Sequence, residues 1–270
     1  MSCPEELDFA DDVARLLVPS TAERWYRAAM TDSRNADDPA LVPGIRPVTG
    51  DTLAGAPRDR EELESSLQVG GGSRFEEALV LANRLHWAQT RKATPIPYIG
   101  HLLGVASLVM ENGGTEDEVI AALLHDAVED QGGAETLASI RRRFGDAVAD
   151  IVDACSDTDQ HPKPPWHQRK QAYIDLLQTA PEGVLRVSAA DKLHNARAIL
   201  ADHRQVGDAV FDRFSVPMDG TLAYYCLLDD IYRERLGGSL ACELQHVVEE
   251  LLRATGSDRP TALPVRTPPP

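Results

Sequence analysis

Hydrophobic and polar positions follow a helical period along most of this chain. Between residues 74 and 254, apolar residues recur at three- and four-residue spacings, and glycine- or proline-rich stretches interrupt them. The pattern predicts helices over these segments: 74–90, 99–112, 115–130, 135–144, 146–155, 165–179, 183–202, 219–236 and 239–254. Because no alternating strand pattern of useful length occurs beside them, the sequence predicts an all-α protein.

The segments outside this pattern have a different composition. Residues 1–72 form an N-terminal extension that is largely of low complexity, and residues 255–270 end in three prolines. Segments of this kind bury too little apolar surface to fold alone, so we expect both termini to be disordered. We assign residues 73–205 to the main helical core and residues 206–254 to C-terminal helices that pack on it.

One predicted helix ends in a dense group of ionisable side chains. Thr115 and Glu118 have the spacing of a capping box, and an apolar body runs from Val119 to Leu124. The ionisable residues that follow it are His125, Asp126, Glu129 and Asp130. In a helix, the first two would each have an acid one turn further on.

Two distant residues can complete a metal site with this group. His101 opens an apolar helical segment, and Asp191 lies within another. Charged side chains on apolar helical faces need a compensating partner. Two imidazoles and two carboxylates suit Mn²⁺, Fe²⁺ or Zn²⁺, with positions left for water and a phosphate oxygen. The sequence therefore predicts one divalent ion on four ligands: His101, His125, Asp126 and Asp191.

Three separated segments carry a resemblance to a known family. They are Pro97–His101 with the preceding pair Arg91-Lys92, then His125–Asp130, and finally Ala190–Arg197. In this order they resemble the hydrolase domain of RelA/SpoT proteins and their single-domain relatives, in the HD superfamily of metal-dependent phosphohydrolases. The resemblance spans about residues 74–200 and implies an HD-domain helical bundle, followed here by the C-terminal helical extension.

The resemblance also implies an activity. The ion in that family is usually Mn²⁺, and Glu129 and Asp130 match the acidic pair that orients the attacking water and manages protons. The substrate there is guanosine tetraphosphate or pentaphosphate, from which the 3′-pyrophosphate is removed. No further large domain remains in this chain for a synthetase module, so we expect hydrolysis alone.

Basic and amide residues near these motifs are candidates for substrate binding. Arg91 and Lys92 could hold a base by stacking or a phosphate by charge, although two basic residues at a helix end also complement its dipole. Asn195 could reach a ribose or support the ion's ligands. A basic patch over residues 163–170 could receive distal phosphates or form a solvated helix face.

Other polar residues are expected to play no direct part. His194 points in a different direction from Asp191 on the same helix, so we do not predict it as a ligand. Lys192 is predicted to be a solvated charge, and His86 to have a surface or packing role. Tyr98 could line the site or belong to the core.

Composition narrows the range of partners and locations. A formal net charge of −16 argues against binding to nucleic acids or anionic membranes, which need clustered cations. The sequence lacks a membrane-length apolar segment and a secretion signal, and its four cysteines are widely spaced, so we expect a cytoplasmic protein with reduced thiols. The expected partner is a small phosphorylated nucleotide; the sequence does not specify whether the protein has protein partners.

Three functions fit these observations. The first is a pyrophosphohydrolase of guanosine tetra- or pentaphosphate, and the second is a nucleotide phosphatase of other specificity. The third is a regulatory domain that binds metal and nucleotide without catalysis. The presence of both Glu129 and Asp130 favours catalysis over the third.

Overall fold

The computed structural model describes residues 73–156 and 162–264, and this part of the chain is helical. Its α-helices, numbered in chain order, are α1 (Ser73–Leu85), α2 (Ile99–Glu111), α3 (Glu116–Leu124), α4 (Ala127–Asp130), α5 (Gly133–Phe144), α6 (Asp146–Cys155), α7 (Trp166–Leu177), α8 (Glu182–Val206), α9 (Met218–Arg235) and α10 (Gly238–Thr255). A 3₁₀ helix, Gly207–Arg213, joins α8 to α9. Within the described ranges, the only β-pairing is an isolated bridge, which confirms the all-α prediction.

Helix α3 forms the centre of the bundle. All residues from Val119 to Leu124 are at most 1% exposed, and α1, α2, α6 and α8 pack around them. The predicted capping box is present, since Thr115 accepts from the Glu118 amide and the Glu118 carboxylate accepts from the Thr115 amide. Glu118 also accepts a 2.6 Å bond from Arg186 of α8. These contacts fix the direction of α3 and therefore the place where it ends.

The predicted helix over residues 115–130 is wrong in one respect, because it is two helices. Helix α3 ends at Leu124, and α4 begins at Ala127. Between them, the ψ angle flattens from −31° at His125 to −2° at Asp126. Apolar periodicity does not register such a bend, since the residues on both sides keep their helical spacing.

Helix α1 ends earlier than predicted, at Leu85. Residues 86–98, which we call the bridge loop, then connect α1 to α2. An antiparallel bridge between Thr90 and Pro97 closes this loop. The bridge holds the residues just before α2 against those just after α1.

The C-terminal helices α9 and α10 pack along α8. The side chains of α9 that are buried in this packing include Leu222, Tyr225, Leu228 and Ile231. The predicted boundaries of the domains stay a prediction, and the predicted N-terminal extension lies outside the described residues.

The chain beyond α10 contacts the core as far as Leu263. Leu263 is 6% exposed, and Arg259 donates to Asp229 at 2.5 Å and to Asp230 at 2.8 Å. A buried carboxylate on α9 thus holds this part of the chain, and the predicted disordered tail over residues 255–270 stays a prediction. Residues 265–270 lie outside the described ranges.

Two further features concern the described part of the chain as a whole. None of its helices combines the length and the apolar character needed to cross a bilayer. Its cysteines, Cys155, Cys226 and Cys242, are free thiols.

Candidate metal centre and adjoining pocket

Four predicted ligands from three parts of the chain meet at the end of α3. His101 lies in the first turn of α2, His125 and Asp126 form the bend between α3 and α4, and Asp191 lies in the middle of α8. The Asp126 Oδ2 atom is 3.0 Å from His125 Nε2 and 3.6 Å from His101 Nε2. The Asp191 Oδ1 atom is 3.2 Å from His101 Nε2 and 3.6 Å from His125 Nε2.

The two imidazoles present unpartnered nitrogen atoms to this centre. Both Nε2 atoms are buried and make no hydrogen bond, while His125 Nδ1 donates to the Ala122 carbonyl at 2.8 Å. Ligands of one ion with bonds of about 2.1 Å lie about 3.0 Å apart at 90° and about 3.4 Å apart at a tetrahedral angle. The observed separations match these edges. His101, His125 and Asp126 thus form a possible metal site, and Asp191 adds a fourth oxygen at the same spacing.

The charges at this centre are strongly coupled. Burial alone would raise the pKa values of Asp126 and Asp191, yet the neighbouring cationic groups hold both well below their usual range. Burial alone would lower the pKa of His125, and the charge of Asp126 raises it well above its usual value. The carboxylates therefore hold positive charge between them, and a divalent ion could replace the imidazolium proton.

Neighbouring side chains orient the two carboxylates. The Tyr98 hydroxyl donates to Asp126 Oδ2 at 2.5 Å, and burial with the charge of Asp126 raises its pKa, so it stays protonated. Asn195 donates to Asp191 Oδ1 at 2.6 Å, and Lys192 bonds to Oδ2 of the same residue. The prediction that Lys192 is a solvated charge is wrong, since its side chain is only 15% exposed and is paired with Asp191.

The two predicted catalytic acids lie on α4, just beyond the bend. Glu129 pairs with Lys163 at 2.7 Å, and Asp130 accepts a 2.7 Å bond from Gln89 of the bridge loop. Burial raises the pKa of Asp130; the Gln89 bond opposes this shift, and the charges of Asp126 and Glu129 add to it. The bend therefore separates the acids from the ligands and gives each acid its own partner.

A buried histidine supports this arrangement from behind. His86 is 1% exposed, stacks on the Tyr98 ring at 5.3 Å, and contacts the Gln89 amide oxygen at 2.8 Å through Nδ1. Gln131 donates to the same Gln89 oxygen at 2.8 Å. These contacts orient the Gln89 NH₂ group towards Asp130. Of the surface or packing role predicted for His86, the structure shows packing. Through Tyr98 it supports Asp126, and through Gln89 it supports Asp130.

A cavity of about 300 Å³ adjoins the candidate metal centre, and we call it the cation pocket. Its lining is rich in cationic and aromatic side chains: Arg91, Lys92, Trp166, Lys170, Lys192, Asn195, Ile199, Phe214, Ser215, Val216, Thr221, Tyr224 and Tyr225. All three predicted substrate-binding residues are therefore together in one cavity. Arg91 also donates to Asn195 at 2.8 Å, so the pocket and the Asp191 ligand are joined through one amide.

A lysine deep in this pocket has an unusual protonation equilibrium. Lys170 lies with its ammonium 5.1 Å from the centre of the Tyr224 ring. Burial, together with the charge of Lys192, lowers the pKa of Lys170 to about 7. Of the basic patch predicted over residues 163–170, this residue therefore faces the pocket, whereas Lys163 pairs with Glu129.

A larger cavity of about 740 Å³ lies next to the cation pocket and shares Trp166, Ser215 and Val216 with it. Lys163 and Arg169 of the predicted basic patch line it, but none of the predicted ligands or acids does, nor does Arg91, Lys92 or Asn195. Since the unpartnered nitrogens and the carboxylates converge elsewhere, the smaller cavity is the better candidate for the substrate site.

The sequence interpretation left Tyr98 open between the site and the core, and it missed the supporting roles of Gln89 and Lys192. A signal was present for these last two, because Gln89 follows His86 by three residues and Lys192 is next to the candidate ligand Asp191. Their roles depend on contacts between segments that are distant in the sequence. Spacing along the chain does not report such contacts.

Comparisons with known proteins agree with this arrangement. The family model described as "HD domain" matches residues 78–214, just over half of the chain. A guanosine-3′,5′-bis(diphosphate) 3′-pyrophosphohydrolase from Homo sapiens is 37% identical over 124 residues, which are 45% of this chain and 66% of that protein. A protein of the same enzymatic name from Haemophilus influenzae is 30% identical over 178 residues, 64% of this chain and 23% of its own length. The chain thus corresponds to only part of these relatives.

Solved structures resemble the fold. One is titled as a metazoan ortholog of SpoT that hydrolyses ppGpp; it has a TM-score of 0.54, 23% identity, and covers 68% of this chain and 97% of its own. A second, from Listeria monocytogenes, has a TM-score of 0.50 and 28% identity, and covers 58% of this chain and 99% of its own. The first shows likeness of fold alone. Together with the family match, these findings confirm the resemblance carried by the three sequence motifs, and the chain belongs to the HD domain family.

Proposed function

We propose that this protein is a metal-dependent pyrophosphohydrolase that removes the 3′-pyrophosphate of guanosine tetraphosphate or pentaphosphate. One observation carries the proposal. Two buried, unpartnered imidazole nitrogens face two carboxylate oxygens at 3.0 to 3.6 Å, beside a cavity rich in cations. The names of the human and Haemophilus influenzae relatives support the choice of reaction and substrate.

The metal ligands in this proposal are His101, His125, Asp126 and Asp191, and Mn²⁺ is the proposed ion. The donor set fits a divalent cation, because the two carboxylates offset its charge and the imidazoles have no other partner for Nε2. A bound ion supplies Lewis acidity at a phosphoryl oxygen and lowers the pKa of water. The remaining steps belong to the side chains of the protein.

Glu129 and Asp130 handle the protons in this proposal. One carboxylate accepts a proton from the attacking water, and the other carboxyl group donates one to the leaving group. Gln89 and Lys163 hold these acids at fixed positions on α4. Because α4 starts directly after the ligand Asp126, the two acids lie near the reacting phosphate without being metal ligands themselves.

The cation pocket binds the nucleotide in this proposal. Arg91 and Lys92 hold the base or the 5′-phosphates, and Asn195 contacts the ribose while it orients Asp191. Lys170 of α7 and Lys192 of α8 also line the pocket, where their charges offset those of the remaining phosphates. The partly buried ring of Trp166 lines the pocket and offers a stacking surface.

One observation favours a second function, a nucleotide phosphatase of other specificity. Among the described residues that line the cation pocket, none is an aspartate or a glutamate. A carboxylate is a common partner for the two N–H groups on the edge of guanine. Stacking without that partner would accept other bases as well.

A product analysis separates these functions. With Mn²⁺ supplied, guanosine tetraphosphate should yield GDP and pyrophosphate, and chelation of the metal should stop turnover. Arg91→Ala should raise KM more than it lowers kcat, because Arg91 contributes binding rather than proton transfer. Arg84→Ala, on the last turn of α1, is the matched control. Release of orthophosphate alone, or preference for simple nucleoside monophosphates, would support the phosphatase instead.

The cytoplasmic location and the absence of nucleic-acid and membrane partners stay predictions. The substrate class proposed here, a small anionic nucleotide, agrees with a pocket of local cations in a chain of net charge −16.

A further inference from the structure

His194 makes a close contact with the candidate ligand His101. The two Nδ1 atoms are 2.9 Å apart, and the ring centroids are 4.8 Å apart. His194 lies on α8, one helical turn beyond Asp191, and His101 lies on α2. The contact therefore joins the two helices that each carry a ligand.

A contact between two ring nitrogens at this distance contains one proton, because one nitrogen must donate and the other must accept. His101 Nε2 faces Asp126 and Asp191 and has no hydrogen-bond partner. For this Nε2 to offer a lone pair to an ion, the proton of the neutral ring must lie on Nδ1. His194 Nδ1 is then the acceptor.

We propose that His194 is a positioning residue that accepts the Nδ1–H of His101, and so fixes the tautomer and the ring orientation in which His101 binds the metal. The role rests on the metal site proposed above. The Nδ1–H of His125 is accepted in the same way by the Ala122 carbonyl, which belongs to the helix that His125 closes. His101 depends on a side chain 93 residues away.

Gly104 makes room for this contact. An ideal Cβ at this position would lie 2.4 Å from both Cδ2 and Nε2 of His194, too close for any real pair of atoms. The backbone of Gly104 has no positive φ that would itself require glycine. The missing side chain therefore serves the neighbouring imidazole, and it lies one turn beyond His101 on the same helix.

Nuclear magnetic resonance can detect the bond directly. In ¹⁵N-labelled protein, metal-free and loaded with diamagnetic Zn²⁺, the two Nδ1 nitrogens should show a scalar coupling across the hydrogen bond. The proton should have its one-bond coupling to His101. His194→Leu should abolish the coupling between the rings, whereas His203→Ala, a histidine further along α8 that bonds to Asp208, should leave it intact.

Metal affinity gives the second readout. In a titration with Mn²⁺, the free ion can be measured by electron paramagnetic resonance. The Kd should be about 10- to 100-fold higher in His194→Leu than in the unaltered protein. His194→Asn, whose amide oxygen can accept the same proton, should recover part of the affinity. Gly104→Ala should weaken binding as well, although alanine favours the helix more than glycine does.

The outcomes separate this role from the metal site itself. Failure of the unaltered protein to bind Mn²⁺ or Zn²⁺ overturns the metal site and the role built on it. A proton bonded to His194 Nδ1, or an unchanged Kd in folded His194→Leu, overturns the role of His194 alone. Equal loss in the Asn and Leu variants also overturns it, because shape and not the acceptor would then matter.

Discussion

The candidate metal centre and the cation pocket adjoin each other but are built differently. At the centre, His101, His125 and Asp191 are at most 6% exposed, and their atoms face one another across 3.2 to 3.6 Å. The pocket is lined by longer side chains that include Arg91 and Lys92, with aromatic rings between them. Short buried groups fix positions, while long cationic groups supply charge over a wider space.

This difference teaches where tolerance to change should lie. Metal ligands must meet within a few tenths of an ångström, so each depends on a bonded neighbour that orients it. Phosphate binding by lysine and arginine depends more on charge than on one geometry. Substitutions at the centre should therefore abolish metal binding and turnover, whereas substitutions in the pocket should weaken substrate binding by degrees.

The largest effect is expected from Asp126→Ala. This change removes the oxygen that lies between the two histidines, so stoichiometric Mn²⁺ binding and turnover should both be lost. Metal analysis of the purified protein and the assay of pyrophosphate release measure the two losses. Asp150→Ala, an exposed acid of α6, is the control. Full metal content in Asp126→Ala would remove that residue from the ligand set.

The next largest effect is expected at the acids of α4. Glu129→Gln and Asp130→Asn keep the shape of each side chain, so Mn²⁺ should remain bound while kcat falls about 10²-fold or more. Metal content and steady-state kinetics on the same preparations test both parts. Turnover at the unaltered rate in both variants would point instead to a domain that binds metal and nucleotide without catalysis.

A smaller, pH-dependent effect is expected at Lys170. Because its pKa is about 7, the ammonium is charged below pH 7 and loses its charge as the pH rises through that value. KM for guanosine tetraphosphate should therefore rise several-fold from pH 6.5 to 8.5. In Lys170→Arg the guanidinium stays charged, so the rise should be smaller. Protonation of the substrate phosphates changes with pH equally in both assays, so it cancels in the comparison. Identical KM profiles for the two proteins would contradict the role of Lys170.

The smallest effect on activity is expected at Arg259, far from both regions. Its removal leaves the fully buried Asp229 without its closest partner, so Arg259→Met should lower the free energy of unfolding by about 1 to 3 kcal/mol. Urea denaturation measures this change, and Mn²⁺ affinity should stay the same. Adding Asp229→Asn should restore part of the stability, since no buried charge is then left unpaired. A lower Mn²⁺ affinity in Arg259→Met would show that the tail also supports the centre.

The sequence predicted the helices well because apolar periodicity and the glycine and proline boundaries are local signals. Local signals also predicted where the candidate residues lie along their helices, since His125 and Asp126 close a buried helix and Asn195 follows Asp191 by one turn. The roles of these residues stay predictions.

The parts that the sequence did not predict depend on contacts between helices. The bend at His125 and Asp126 lies where side chains of α2 and α8 come together. Lys192 was predicted to be solvated because it lies on another face of its helix from Asp191, and a helical face does not show that the two side chains pair. The packed tail depends on Asp229, whose burial is decided by the fold of α9 and not by its local composition.

The bridge loop has a consequence for the design of variants. A single short segment supplies Tyr98 to a metal ligand, Gln89 to a proton-handling acid and Arg91 to the pocket. A change in its length would alter turnover and nucleotide preference together, because the three contacts share one closed backbone. The opposite wall of the pocket, with Tyr224 and Tyr225 on α9, bonds to none of these acids or ligands in the described part of the chain. Libraries aimed at new specificity should therefore vary only those side chains of α9 that line the pocket, and keep the bridge loop unchanged.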